Sequence, residues 1–220
     1  MIEAILFDAD GVVLDTEGIW DLEQTEFLRR RGVVYDRTRT KHLMTGRTLP
    51  EGVQILQHAY GFSGELDLLA QERRDIFRSL CETEIAFMSG FSEFFGRLKD
   101  QYKTCVATSM DPEILPLIVE KMGLRDLFDD RIFSTTDVAG IAKPNPDLFL
   151  YAACRLGCDP ARCLVIEDAP HGIEAARRAG MRCVGLATTY GPERLAAADL
   201  VARSFDDIDL SSIRGLCPVS

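Results

Sequence analysis

The sequence predicts a parallel α/β sheet interrupted, after its first strand, by an all-helical insertion. Three observations carry this reading. Short apolar runs of strand length recur along the chain with helical patterns between most of them. Proline-marked helix starts and glycine stops punctuate the intervals. Residues 15 to about 88 break the alternation, holding no convincing strand but several amphipathic helical stretches.

Taken in order, the first candidate strand is 4–7, which runs straight into Asp8. The insertion follows. Leu66, Leu69, Ala70, Arg73, Ile76, Phe77, Leu80 and Cys81 fall at three- and four-residue spacing with only Arg73 off type, and Leu49, Val53, Leu56 and Tyr60 repeat the pattern. The chain returns near Met88-Ser89-Gly90, so the expected body comprises 1–14 and 89–220 and the expected insertion 15–88. Further candidate strands are 105–108, 131–133, 163–166 and 183–186. Asp111-Pro112, Asn145-Pro146 and Asp159-Pro160 each offer an N-cap followed by proline at the first helical position. Gly123, Gly157 and Gly180 sit where helices should stop, and Arg177 and Arg178 suit the negative end of the helix before Gly180.

Bulk properties bound the function. A chain of 220 residues, 46% hydrophobic and 27% charged, has the composition of an ordinary globular protein with one body and an accessory piece. Its formal charge of −10 argues against a nucleic-acid partner, which needs Lys and Arg to neutralise phosphates, but leaves room for a small anionic substrate where positive charge is concentrated locally. No apolar run approaches the roughly 20 residues that span a bilayer. The N-terminus has no basic segment and meets an aspartate too early for a secretory signal, so a cytoplasmic protein is expected, with a monomer as the default. The seven cysteines are scattered and odd in number, reading as reduced, mostly buried thiols, and Cys154, Cys158 and Cys163 do not form the paired spacing of a zinc site.

Ligands of open α/β sheets bind beyond the carboxyl ends of the strands. Here those ends carry Asp8-Ala9-Asp10-Gly11, Thr108-Ser109 and Glu167-Asp168, with Lys143 at the entrance to another helix. Each acid alone could be a helix cap or a solvated loop residue. Brought together by parallel neighbours, four carboxylates and one lysine leave a formal charge near −3, a cluster that repels itself unless a cation enters. All-oxygen hard ligands favour Mg²⁺ over zinc or copper. Asp8 and Asp10, with Gly11 permitting the bend, can divide the labour of attack on phosphorus and proton handling. Thr108 can donate its hydroxyl to a phosphoryl oxygen, the helix expected at Asp111-Pro112 aims N–H groups at the same region, and Lys143 offers a compact positive charge. His42, His58 and His171 read as ordinary helix or surface residues, His171 as one that caps or begins a helix.

Four ordered motifs resemble the haloacid dehalogenase superfamily, in the branch of β-phosphoglucomutase and sugar-phosphate phosphatases. They are Asp8-Ala9-Asp10-Gly11-Val12 with Leu14-Asp15-Thr16-Glu17, Val106-Ala107-Thr108-Ser109, Ala142-Lys143-Pro144-Asn145-Pro146-Asp147, and Val165-Ile166-Glu167-Asp168-Ala169-Pro170. The resemblance implies a Rossmann-like body with a mobile helical cap. It implies Asp8 as nucleophile and metal ligand, and Asp10 as general acid/base and a ligand through its backbone carbonyl. Glu167 and Asp168 complete the Mg²⁺ set, while Thr108, Ser109 and Lys143 hold the phosphoryl group. Asp10 sets the chain apart from dehalogenases and phosphonate hydrolases, and Lys41, the only lysine between 15 and 88, lies outside the amphipathic stretches where a Schiff-base lysine would be sought.

The activity so implied is hydrolysis of a small phosphorylated metabolite through an aspartyl-phosphate, with a phosphosugar mutase as the alternative. The mutases carry a histidine where this chain has Trp20, and an indole cannot replace an imidazole in proton transfer. Thr45-Gly46-Arg47 resembles the cap loop whose arginine meets the substrate, which makes Arg47 and Trp20 candidate substrate contacts. A receiver-type phosphoacceptor module shares the ionic pattern, but such modules are about half this length, lack a helical insertion after strand one and place the phosphoacceptor on a later strand.

Overall fold

The structure is a computed structural model and describes residues 1–44 and 47–216. Thr45 and Gly46 of the loop named above, the side chain of His42, and Cys217 lie outside the described residues. The chain opens on strand β1 (Ala4–Phe7), then four helices, α1 (Glu17–Arg29), α2 (Arg37–Met44), α3 (Leu49–Tyr60) and α4 (Leu66–Glu84). The remainder alternates: α5 (Phe91–Leu98), β2 (Lys103–Thr108), α6 (Leu115–Lys121), α7 (Leu124–Phe128), β3 (Ile132–Ser134), α8 (Asp147–Leu156), β4 (Cys163–Glu167), α9 (Pro170–Arg178), β5 (Arg182–Leu186), β6 (Leu200–Ala202) and α10 (Leu210–Gly215). The six strands form one parallel sheet in the order β3-β2-β1-β4-β5-β6. This is the expected α/β, Rossmann-like sheet with inserted helices.

Strands buried on both faces read as continuous apolar runs, and alternate residues feed opposite layers. Ile5 and Phe7 of β1, with Leu164 and Ile166 of β4, pack on the layer containing Phe91, Phe94 and Phe128. Ala4, Leu6, Cys163 and Val165 face α8 and α9. The inserted helices have a small core of their own, Phe27, Leu28, Leu56 and Ile76. Arg73, the one residue off the apolar pattern of α4, is buried there because Nε and Nη2 donate to the Glu23 carboxylate of α1 at 2.9 and 2.7 Å.

Two linkers join the insertion to the sheet and pair with each other: Asp15 N donates to Ala86 O at 3.0 Å and Met88 N to Val13 O at 2.9 Å. A third tie is ionic, with Arg74 of α4 bonding Asp111 beyond β2 through Nε at 3.1 Å and Nη2 at 3.0 Å.

Three local expectations need correction. The helix expected from Asp111-Pro112 starts at Leu115, since Asp111 instead opens a tight turn, its carboxylate accepting from Glu113 N at 2.9 Å and its carbonyl from Ile114 and Leu115. Pro146, not Asn145, holds the cap position of α8, while Asn145 turns its amide back to Ala142 O. Asp159 caps only a single 3₁₀ turn, Pro160–Arg162, before β4 begins. The edge strand β6 was not anticipated: its three residues pair on one side only, with β5.

Candidate active site

Topology puts β1 between β2 and β4, where the strand order reverses and the chain ends of all three strands open on one crevice. Register then sets the levels. Phe7 is paired with Val106 on one side and Ile166 on the other, and Asp8 N donates to Ile166 O at 3.0 Å, so Asp8 emerges beside Thr108 and the Glu167-Asp168 doublet. Lys143 reaches in from the loop before α8, its Nζ donating to Asp8 Oδ1 at 2.5 Å and to Glu167 Oε1 at 2.8 Å. The second Glu167 oxygen accepts from Ala169 N at 2.9 Å. Asp8, Glu167 and Asp168 each offer an oxygen within 4.8 Å of the others, and among the described residues they are the one His/Cys/Asp/Glu group so spaced. All three are buried, as is Lys143.

Two glycines make room for this cluster. At Gly11 the backbone takes φ +69°, and a Cβ there would fall 2.0 Å from Asp168 Oδ2. Within α9, a Cβ on Gly172 would fall 1.8 Å from Glu167 Oε1. Each absent side chain is the space that an acidic carboxylate occupies.

The electrostatics follow from burial and crowding. Desolvation raises the Asp8 carboxyl from 3.8 to about 7, with Glu167 and Asp10 adding to the rise and Lys143 opposing it. Desolvation and the charges of Glu167 and Asp8 push Asp168 well above the carboxylate range. Burial works against the Glu167 charge too, but Lys143 and His171 outweigh it and leave Glu167 below its usual value. Burial likewise opposes the Lys143 charge, and its two carboxylates more than restore it. One cation therefore faces more anionic groups than it can neutralise. The donor set, all carboxylate oxygen with no thiol or imidazole among the three, fits a hard divalent ion such as Mg²⁺.

The other residues singled out by sequence line the same cavity, of about 230 Å³: Asp10, Trp20, Arg47, Thr108 and Ser109. Thr108 Oγ1 accepts from Met110 N at 3.0 Å, which leaves its own proton for a ligand, and Ser109 Oγ is buried without a partner among the described residues. Asp10 Oδ1 accepts from Thr16 Oγ1 at 2.7 Å and from the Trp20 indole at 3.3 Å. Burial raises the Asp10 carboxyl, and those two donors hold it back. Arg47 lies at the mouth, more than half exposed and 3.6 Å from Glu51.

Sequence reasoning missed several lining residues. Gln24 and Thr189 carried no signal, and Arg73 stood out only as the off-type position of an amphipathic stretch. Thr16, quoted only as part of a motif, does not line the cavity and acts on it through its bond to Asp10. Lys41, placed by sequence outside the helical stretches, lies on α2, pairs with Glu17 at 2.7 Å and lines the cavity. His171 does begin a helix, as second residue of α9, and lines the cavity as well.

A buried carboxylate at the switch point of a parallel sheet, held by a lysine inside an acidic nest and roofed by inserted helices, is an arrangement suited to a hydrolase. The haloacid dehalogenase-like hydrolase family matches residues 2–180, and the chain belongs to that family. It is 31% identical over 211 residues to validoxylamine A 7'-phosphate phosphatase of Streptomyces hygroscopicus subsp. limoneus, covering 94% of this chain and 96% of that one. It is also 28% identical over 216 residues to the β-phosphoglucomutase of Bacillus subtilis, covering 95% and 92%. Among solved structures, CbbY from Rhodobacter sphaeroides in complex with xylulose-(1,5)bisphosphate superposes with TM-score 0.80 at 26% identity, over 96% of this chain and 98% of that one. No described helix is long and apolar enough to cross a membrane.

Proposed function

We propose that this chain is a Mg²⁺-dependent phosphatase that hydrolyses a small phosphorylated metabolite, a sugar phosphate or similar, through an aspartyl-phosphate on Asp8. The observation that carries the reading is the Lys143 ammonium bridging Asp8 and Glu167 inside a cavity whose opposite wall is built by the inserted helices. At about 230 Å³ the cavity lies below the roughly 300–1,000 Å³ of drug-sized sites, which suits a small metabolite and not a polymer. In this reading residues 15–88 form the cap domain and 1–14 with 89–220 the catalytic body.

Asp8, Asp168 and the backbone carbonyl of Asp10, with Glu167 beside them, would hold the metal. When bound, the ion supplies charge neutralisation for the phosphoryl oxygens and the acidic nest. Asp8 attacks phosphorus in line, and Asp10 gives its proton to the departing alkoxide. Thr108, Ser109 and Lys143 hold the phosphoryl oxygens as charge redistributes. Asp10 then takes a proton from the water that cleaves the aspartyl-phosphate, and inorganic phosphate leaves.

A phosphosugar mutase is the second reading, favoured by the likeness to β-phosphoglucomutase. Trp20, which donates to Asp10 and cannot accept a proton, stands against it. A screen of phosphorylated sugars, sugar alcohols, nucleotides and small acids for released phosphate, with and without Mg²⁺, tests the proposal. β-Glucose 1-phosphate with a trace of bisphosphate separates the readings: the phosphatase yields free phosphate faster than glucose 6-phosphate, the mutase the reverse. Asp8→Asn is expected to remove turnover by at least about 10³-fold while keeping the fold, and retained turnover would overturn the assignment of the nucleophile.

A further inference from the structure

The acids of the cavity come from the ends of β1 and β4, but β4 has a second neighbour in the sheet. Glu167 is paired with Gly185 of β5, so the residues that follow Leu186 emerge beside Asp168. They are Ala187, Thr188 and Thr189, and three hydrogen bonds hold them in place. Ala187 N donates to Ala202 O of β6 at 2.8 Å, Thr188 N to Leu186 O at 2.9 Å, and Thr188 Oγ1 to the carbonyl of Gly11 at 2.5 Å. The Thr188 hydroxyl thus ties the end of β5 to the loop that carries Asp8 and Asp10, and the next side chain, Thr189, is delivered to the cavity.

Thr189 Oγ1 is buried and completes no hydrogen bond with any described residue. The missing side chain of Gly11 locates it. A Cβ built there would fall 2.8 Å from Thr189 Oγ1 and 2.0 Å from Asp168 Oδ2, so the hydroxyl and the carboxylate border the same gap. Burial, Glu167, Asp8 and Glu17 disfavour the charge of Asp168, whereas Thr189 favours it. An unmet hydroxyl in a buried position costs free energy, and packing alone would be served as well by valine, which has the same shape without the oxygen.

We propose that Thr189 is a positioning residue of the metal centre, its hydroxyl donating to the Asp168 carboxylate and holding it in one orientation for a divalent ion. A carboxylate that ligates a metal works best when a neighbouring donor fixes its direction. Asp8 and Glu167 already have such donors, Lys143 for both and Ala169 N for Glu167. For Asp168 the adjacent hydroxyl is that of Thr189, which finds its partner when the acid is held as the anion. The inference rests on the Mg²⁺ reading of the cluster, with Asp168 as one of its ligands.

Titration of the whole chain with Mg²⁺ alone, followed by the rise in Tm, tests the assignment without turnover. Thr189→Val keeps the shape of the side chain and removes the hydroxyl. Its apparent Kd for Mg²⁺ should weaken by about 10–100-fold, the loss typical of a hydrogen bond behind a metal ligand. Its Tm in EDTA should equal or exceed that of the wild type, because a methyl group has replaced an unmet buried hydroxyl. Thr189→Ser retains the hydroxyl and should bind Mg²⁺ tenfold or more tighter than Thr189→Val, close to the wild type. A residue that serves packing alone would give a lower Tm in EDTA with an unchanged Kd. That pattern, or equal weakening in the serine and valine variants, would overturn the proposal. A wild-type chain whose Tm does not respond to Mg²⁺ would overturn the Mg²⁺ reading itself.

Discussion

Gly172→Ala is a single methyl group placed where Glu167 lies. The new Cβ would stand 1.8 Å from Oε1 and 1.9 Å from Cδ, while ordinary contact begins near 3.4 Å. The carboxylate must therefore withdraw by about 1.6 Å, more than the slack in its 2.8 Å bond from Lys143 or its 2.9 Å bond from Ala169 N. Losing both bonds to a buried charge costs roughly 3–5 kcal/mol, and the stiffer unfolded chain returns about 0.5–1 kcal/mol of it. The expected net loss of about 3 kcal/mol corresponds to a fall in Tm of about 6–12 °C for a chain of this length. Lys143 loses one of its two anchors at the same time, and a misplacement of about 1 Å at a reacting group costs on the order of 10²-fold in rate. Thermal unfolding and phosphate release on the same preparation read both effects. Gly96→Ala is the control: Gly96 is also helical, but a Cβ there meets nothing within 4 Å, so that variant should gain up to about 1 kcal/mol and keep its activity. A Gly172→Ala protein with wild-type Tm and wild-type turnover would refute the packing argument.

Two further outcomes follow from the same physics. Because burial raises Asp8 from 3.8 to about 7, its contribution to the stability of the metal-free fold is complete below about pH 4 and lost as pH rises through 7, at a cost of about 4 kcal/mol; Asp168 acts in the same direction and Glu167 in the opposite one. The rise in Tm on adding Mg²⁺ should accordingly be larger at pH 8 than at pH 5.5, and a Mg²⁺ effect that shrinks with pH would contradict the charge assignment. Glu23→Gln leaves the Arg73 guanidinium buried without its counter-ion, which should cost about 3–5 kcal/mol in urea unfolding, while Glu23→Leu with Arg73→Met should recover most of that loss. A single substitution costing under about 1 kcal/mol would show the pair to be solvated.

What could be read from sequence depended on whether the governing physics was local. Parallel strands that share an edge must present their C-terminal residues together, so Asp8, Thr108 and Glu167-Asp168 were legible as one group once the apolar runs were recognised. The five strongest runs are strands, whereas β6 escaped because three residues on a sheet edge carry too little pattern. Asp111-Pro112 misled because its cap geometry was real but served a turn, and the same carboxylate was taken by Arg74, 37 residues away. The pairing of Arg73 with Glu23, and the aim of Trp20 at Asp10, depend on how α1 is rotated against α4. Apolar spacing fixes that rotation only to within a face, so neither contact was visible in the order of residues.

Most of the buried polar side chains among the described residues converge on one place: Asp8, Gln24, Arg73, Thr108, Lys143, Glu167 and Asp168 all line the cavity between sheet and insertion. Folding alone disfavours such an arrangement, since each group gives up hydration and the acids also repel one another. Where the same burden falls outside the reacting cluster it is met within the protein, as Glu23 does for two of the three guanidinium nitrogens of Arg73. Most of what stays unmet among the described residues also lies along the cavity: Arg73 Nη1 and Gln24 Oε1 on the insertion side and Ser109 Oγ and Thr189 Oγ1 on the sheet side have no partner, beside acids that exceed their one lysine, while Thr40 Oγ1 is unmet away from it. The surplus on the two walls differs in kind. The sheet side lacks positive charge and offers hydroxyls, which in the proposed function a metal ion with a phosphoryl group would complete, whereas the insertion side offers one donor and one acceptor, which in the same proposal a hydroxylated carbon skeleton would complete.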